Sequence, residues 1–315
     1  MKRVVVTGAS GYIGGQTCIE LKAHGYHVTG VDLRPLPEHL NKFVDHFIQK
    51  NISNVADQIS DTEGIVHCAG TSLVGPSMKD PALYYQNNVG ATARLLEILG
   101  WNGWHGRFVF SSSASVYGIP KTTPIPETSV VNPINPYGRS KAFCEQLITD
   151  SARAYQFSAV TLRYFNACGA DSRGRHGQEP DATHIFARIF EAIKHNRPIE
   201  IYGNEYPTRD GTCVRDYIHV MDLAEAHRRA LEKSLPPSNH IFNLGTRHGY
   251  SVLEIVNRIK DILKSDAIVE FRAPRAGDPP ELIASSESFK NFFEWEPTHS
   301  DLNTIIKSLK KWYHV

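Results

Sequence analysis

Tyr137 and Lys141 stand four residues apart, so on a helix they share one face with about 6 Å between their Cβ atoms. A phenol of ordinary pKa ~10 is a poor base at neutral pH, and lowering it to near neutrality takes roughly 4 kcal/mol. An ammonium at that spacing and a cationic ring in a bound cofactor both push in that direction. Ser113 closes the run Ser111-Ser112-Ser113, 24 residues before Tyr137, and its hydroxyl would fix the substrate oxygen on which the phenol acts. The same Y-x-x-x-K spacing is common on ordinary helix surfaces, so its weight comes from its company.

That company is Thr7-Gly8-Ala9-Ser10-Gly11-Tyr12-Ile13-Gly14, set between a short valine run and an amphipathic stretch. Gly8 permits the tight turn, Gly11 lets a pyrophosphate approach the backbone, and Gly14 lets helix and strand pack closely. The helix N-terminus adds N–H donors and positive potential. Asp32 lies 18 residues beyond Gly14, where a carboxylate holds adenosine ribose hydroxyls and repels a 2′-phosphate. NAD is therefore expected rather than NADP, although Arg34 could pair with such a phosphate.

The elements needed to present these groups are legible around them. Strands are expected at Val4 to Thr7, His27 to Asp32, Ile65 to Cys68, Arg107 to Ser111 and Ala159 to Arg163. Helical patterns fill Tyr12 to His24, Pro81 to Leu99 and Tyr137 to Ala154, and Asn135-Pro136 offers a start for the last. This alternation predicts an α/β fold with a Rossmann-like, doubly wound parallel sheet. Beyond Arg163 the rhythm loosens through Gly169 to Asp181. A helix from Thr183, a strand from Pro198 to Tyr202, a capping box at Ser251 to Glu254 and a helix through Ile305, Ile306, Leu309 and Trp312 then predict a smaller C-terminal α/β lobe. Asp222 reads as a helix cap. The expected division is 1–165 with about 217–242 for the dinucleotide, and 166–216 with 243–315 for the substrate.

With 315 residues, 34 Lys+Arg, 33 Asp+Glu and 41% hydrophobic residues, the chain supports a sizeable core and carries no field that would draw it to nucleic acid or a membrane. A small molecule is the expected partner. Cys18, Cys68, Cys144, Cys168 and Cys213 are odd in number and scattered, which fits a reducing cytoplasm. No spacing of His or Cys suggests a metal. Neither a signal-peptide core nor a spanning segment is present.

Taken together, these blocks resemble the extended short-chain dehydrogenases/reductases and, among them, the UDP-glucose 4-epimerase family. The resemblance runs through Thr7 to Gly14, His67 to Gly70, Ser72 to Gly75, Tyr84 to Val89, Ser111 to Gly118, Tyr137 to Lys141 and Leu162 to Asn166. It continues through Tyr206 to Thr208, Asp210 to Cys213, Arg215 to Val220, Phe242 to Gly245 and Arg275 to Pro279. It implies a catalytic group of Ser113, Tyr137 and Lys141. For NAD it implies Gly8, Gly11, Tyr12, Ile13, Gly14, Asp32, Asn51, Ile52, Cys68, Ala69, Gly70, Asn87, Ser111, Tyr137, Lys141 and Tyr164. For a UDP-sugar it implies Ser72, Ser113, Asn166, His184, Ile185, Tyr202, Arg215, Tyr217, Arg275 and Asp278. The arginines suit this role on physical grounds, since a diphosphate is held by bidentate cations. A homodimer is implied by the resemblance alone.

The chain departs from the family at Lys50-Asn51-Ile52, where an acidic block often meets adenine, at Leu33, and at Ser72. The implied reaction is reversible inversion at C4 of a UDP-hexose through a 4-keto sugar, with uridine held firmly and the sugar loosely. Nucleotide-sugar 4,6-dehydratases and decarboxylases share the fold; the dehydratases need an acidic pair where this chain has Ala114 and Ser115. UDP-uronate and UDP-N-acetylhexosamine epimerases remain alternatives that Leu282, at the family's sugar gate, does not separate. A silent NAD-sensing module would be expected to lack Ser113, Tyr137 or Lys141.

Overall fold

The protein is described from a computed structural model covering residues 2–179, 182–275 and 278–315. Pro180, Asp181, Ala276 and Gly277, which belong to segments singled out above, lie outside the described residues. The strands in chain order are β1 (Arg3–Thr7), β2 (His27–Asp32), β3 (His46–Gln49), β4 (Gly64–His67), β5 (Arg107–Ser113), β6 (Ser158–Tyr164), β7 (Asn166–Cys168), β8 (Ile199–Tyr202), β9 (Val214–His219), β10 (Asn239–Leu244), β11 (Gly249–Ser251), β12 (Val269–Arg272) and β13 (Glu281–Leu282).

Seven of them form one all-parallel sheet in the order β10-β6-β5-β4-β1-β2-β3. The chain leaves β1 towards β2 and β3, then returns to place β4 on the other side, so the order reverses between β1 and β4. A crevice opens at such a switch point beyond the C-terminal strand ends. Alternation within a strand feeds two cores. Val4 and Val6 pack on one face with Cys18 and Ile19 of helix Tyr12–Ala23 and with Leu223 and Ala226 of helix Val220–Glu232. Val5 packs on the other with Leu95 and Leu99 of helix Ala91–Trp101 and Ile148 of helix Pro136–Tyr155. Burying each such side chain contributes about 1.5–3 kcal/mol, and both faces being covered explains the unbroken valine run. The doubly wound expectation is met.

The smaller lobe has β9 at its centre, paired with β7, β11 and β13, while β8 and β12 form a separate pair. Its core joins Phe186 and Phe190 of helix Ile185–Lys194, Ile255 and Ile259 of helix Val252–Leu263, and Ile305 and Leu309 of helix Leu302–Tyr313. The Ser251 capping box forms as expected.

Two local expectations are corrected. Pro81 to Leu99 is not one helix: a short turn at Pro81–Tyr84 passes into a π-helical turn at Tyr85–Gly90 before Ala91–Trp101. Asn88 rewards the wider turn, accepting from Thr71 N at 2.7 Å and donating to Thr71 O at 3.0 Å and Ser140 Oγ at 2.8 Å. Apolar spacing cannot register such contacts, and π turns often sit at functional sites. Asp222 caps a distant loop instead of its own helix, whose N-cap is His219. Its carboxylate accepts from Thr298 N, His299 N and Ser300 Oγ.

Candidate active site

Each strand of the large sheet delivers part of the site at its C-terminal end. Gly8 follows β1 with φ +72, a conformation that favours glycine, and an added Cβ there would lie 2.8 Å from Ala69 N. At Gly14 an added Cβ would lie 2.1 Å from Gly8 O, so loop and helix touch through bare backbone. Helix Tyr12–Ala23 starts at Gly11 with no side-chain cap, leaving first-turn N–H groups of Tyr12, Ile13 and Gly14 for an external anion. These features fit a dinucleotide pyrophosphate. Tyr12 ties the loop down by donating from its hydroxyl to Gly169 O at 2.6 Å.

Asp32, ending β2, accepts from Ser10 N at 3.0 Å and Arg34 N at 2.9 Å, so its carboxylate is fixed beside the loop with Arg34 Nε 3.8 Å away. Asn51 caps a short turn, its Oδ1 accepting from Ser53 N at 3.0 Å, and Ile52 is buried in the core. Beyond β4, Cys68 and Ala69 bind back to Thr7 through its carbonyl and hydroxyl, and Gly70 follows. Asn87, on the π turn, donates to Thr71 Oγ1 at 3.1 Å. Ser72 is exposed, and among the described residues no hydrogen bond joins it to the groups below.

Ser113 and the helix Pro136–Tyr155 meet at the end of β5. Asn135 caps that helix by accepting from Gly138 N at 2.8 Å, with Pro136 at its first position, as expected. Tyr137 is thereby held in the first turn and Lys141 one turn on. Lys141 is 5% exposed, donates from Nζ to Ser111 O at 2.8 Å and lies 4.8 Å above the Phe110 ring. Burial pushes its pKa below the ordinary lysine value, with nearby Cys144, Cys68 and Glu145 opposing. Burial likewise pushes the Tyr137 phenol up, opposed by the nearby Ser113 hydroxyl. The expected depression of Tyr137 is thus not supplied by the chain alone, because Lys141 is directed at the Ser111 carbonyl and desolvation dominates. A nicotinamide cation, when bound, would add positive charge here. Ser111 donates to Cys68 Sγ at 3.1 Å, and Tyr164, ending β6, lies 3.4 Å from His227 Nε2.

A second group forms across the lobe. Arg215 on β9 donates from Nη1 to Val214 O at 2.9 Å and Pro280 O at 3.3 Å, with Nη2 3.8 Å from Asp278. Arg275 stacks on the Tyr202 ring at 4.4 Å. Tyr217 packs edge-on against Phe186 at 5.4 Å, next to Ile185 and to His184, which lies 2.7 Å from Gln178 Nε2. Asn166 donates to Asp216 O at 3.1 Å, linking β7 to β9 just beyond the large sheet. These residues present two guanidinium groups and aromatic faces, suited to a diphosphate and a base.

Several residues central to this arrangement carry no role in the sequence reading. Asp216 is fully buried and accepts from Thr246 N, Thr246 Oγ1, Arg247 N and Ala284 N at 2.8–3.1 Å, tying three segments behind the arginines. His67 bridges Thr7 Oγ1 at 2.7 Å and Thr92 Oγ1 at 2.9 Å. His227 touches Ser111, Tyr164 and Thr17 at 3.4 Å. Only Glu145 left a signal in the spacing, as it continues the Tyr137–Lys141 series by four residues.

Comparison with known proteins agrees with this geometry. Residues 4–245 match the model of the NAD dependent epimerase/dehydratase family. A UDP-glucose 4-epimerase of Lacticaseibacillus casei is 41% identical, covering 98% of this chain and 96% of its own. The crystal structure of the Brucella ovis UDP-glucose 4-epimerase in complex with NAD is 38% identical with a TM-score of 0.92, covering 98% of this chain and 97% of its own. That of the Bifidobacterium longum enzyme in complex with NAD+ and UDP is 31% identical with a TM-score of 0.89, covering 99% and 98%. With a family model matched over residues 4–245 and a relative 41% identical over 98% of its length, the chain belongs to the NAD dependent epimerase/dehydratase family.

Proposed function

We propose that this protein interconverts UDP-glucose and UDP-galactose by reversible inversion at C4, with NAD tightly held. The observation that carries the reading is the convergence of Ser113, Tyr137 and Lys141 at the β5 end beside an uncapped, glycine-lined helix N-terminus. When bound, NAD would supply the hydride acceptor and donor for C4. Tyr137 receives the C4 hydroxyl proton and gives it back, and Ser113 holds that oxygen. Lys141, pinned to the Ser111 carbonyl, keeps positive charge beneath the site. Gly8, Gly11, Tyr12, Ile13 and Asp32 hold the dinucleotide, with the remaining NAD residues named from the resemblance around it. Arg215, Arg275, Tyr202, Tyr217 and Asn166 anchor UDP while the 4-keto sugar turns its other face to the cofactor.

Elimination is disfavoured because the positions after Ser113 are Ala114 and Ser115, and neither can act as an acid. Leu282 pairs with Arg215 in register and packs partly buried near Ala114 and Phe165, a medium-sized wall beside the reacting group. The division of labour between residues 1–165 with about 217–242 and the remaining lobe is part of this proposal, with β9 to His219 going to the smaller lobe and β10 to Leu244 to the large sheet, as is a cytoplasmic setting for a chain whose five cysteines are free. No helix among the described residues is long and apolar enough to cross a membrane. A second copy of the chain is the proposed partner, and sedimentation at micromolar concentration tests it.

The deciding experiment is an NMR time course of purified protein with UDP-galactose and no added redox partner. Growth of UDP-glucose towards equilibrium without accumulating NADH is the expected result. No conversion by protein with NAD confirmed bound would remove UDP-galactose as the substrate and favour a uronate or N-acetylated sugar.

A further inference from the structure

A buried ion pair joins the strand end carrying Ser113 to the helix carrying Tyr137 and Lys141. Glu145 stands on the same helix face, eight residues after Tyr137, and is 4% exposed. Its Oε1 accepts from Ser112 Oγ at 2.5 Å and from Arg163 Nε at 2.9 Å, and its Oε2 accepts from Arg163 Nη2 at 2.6 Å. Arg163, also 4% exposed, sits opposite Ser112 in the β5–β6 register. Its Nη1 donates to the Tyr117 hydroxyl at 2.9 Å, and Tyr117 donates to Asn243 Oδ1 at 2.7 Å. The arginine is therefore anchored on its far side and cannot follow the helix if the helix shifts.

Such a pair is a weak source of net stability, since well-packed apolar residues of similar volume often serve as well. What a bidentate pair supplies is geometry: a fork and a carboxylate satisfy all their donors and acceptors in one arrangement. Ser112 transmits that arrangement. It is the peptide neighbour of Ser111, whose carbonyl receives Lys141, and of Ser113.

We propose that the Glu145–Arg163 pair, acting through Ser112, is a positioning brace that sets Ser113 against Tyr137 and Lys141. The proposal rests on the reading of those three residues as the catalytic group. It adds no chemical step and assigns neither partner of the pair to contact with substrate.

The test uses the NAD-loaded protein. Ser112→Ala removes the link and leaves the pair, while Glu145→Gln combined with Arg163→Met removes both charges so that none is left buried alone. In both, kcat on UDP-galactose falls about 10- to 100-fold, as expected of slight misplacement, while KM and bound NAD stay near wild type. Wild-type kcat in Ser112→Ala overturns the brace, and so does recovery of kcat in the double variant. A second readout is independent of turnover. In protein labelled with [13Cζ]tyrosine, the Tyr137 signal, assigned by its loss in Tyr137→Phe, shifts or splits in Ser112→Ala. An unchanged signal overturns the brace. If the wild-type protein converts no UDP-sugar, the functional reading fails alone and this signal still decides the brace.

Discussion

Lys141 donates from Nζ to the main-chain carbonyl of Ser111 at 2.8 Å, binding the helix of Tyr137 to the strand end that presents Ser113. A buried ammonium is costly unless its donors are met, and here a carbonyl and the Phe110 face share that task. The lysine thus serves as a fixed positive charge and as a clamp between two elements that approach each other only in the folded chain.

In the proposed reaction the phenol is the proton acceptor, so Tyr137→Phe is expected to reduce kcat by about 100-fold or more. UDP binding by calorimetry and bound NAD should stay near wild type. Substantial remaining turnover would take Tyr137 out of that role.

Arg275 lies on the Tyr202 ring, and among the described residues no carboxylate pairs with it. Arg275→Ala is expected to weaken UDP binding about 10- to 100-fold, the loss of one charge-assisted contact, without releasing NAD. An unchanged UDP dissociation constant would contradict the clamp.

Backbone contact at the glycine loop leaves no room for a methyl group. Gly14→Ala places a Cβ 2.1 Å from Gly8 O, and either loop or helix must move. The expected outcome is loss of bound NAD and destabilisation of about 1–3 kcal/mol, read by absorbance and thermal unfolding. A variant with wild-type melting and full NAD content would show that the loop has slack.

Four buried histidines contribute to the response to acid: His67, whose pKa burial lowers to about 3, and three more. Burial lowers the pKa values of His176, His219 and His227 to about 4 each. In the unfolded chain they return to ~6.5, so the unfolded state binds more protons between the two values and stability falls with pH there. The contribution is complete above pH ~6.5 and is lost as pH falls through about 4, at up to ~1.4 kcal/mol per pH step for each histidine. Urea midpoints at pH 7, 6 and 5 should drop steeply. His227→Gln should flatten the drop, and a pH-independent midpoint would disprove the assignment.

Local rules made much of this legible. Val4-Val5-Val6 followed by Gly8 announces a buried strand and a turn, because only a two-sided sheet asks for three valines in a row. Asn135-Pro136 marks a helix start through capping geometry that needs no distant partner. Tyr137 and Lys141 share a face by helical periodicity alone. The π turn at Tyr85–Gly90 escaped, since its reason is Asn88 reaching Thr71 and Ser140. Asp222 was readable as a cap, while the loop it caps lies 76 residues away.

From its own residue types and spacings the chain determines its doubly wound sheet, its glycine loop and its tyrosine–lysine helix, all matters of contacts within a few turns or one strand. Tertiary structure alone decides the protonation balance at Tyr137, where burial outweighs the nearby Ser113 hydroxyl, and the partner chosen by Lys141. It also decides that Asp216 and the Glu145–Arg163 pair stand behind the site. Those outcomes depend on which distant groups exclude water and which donors they bring, and local periodicity carries no information about either.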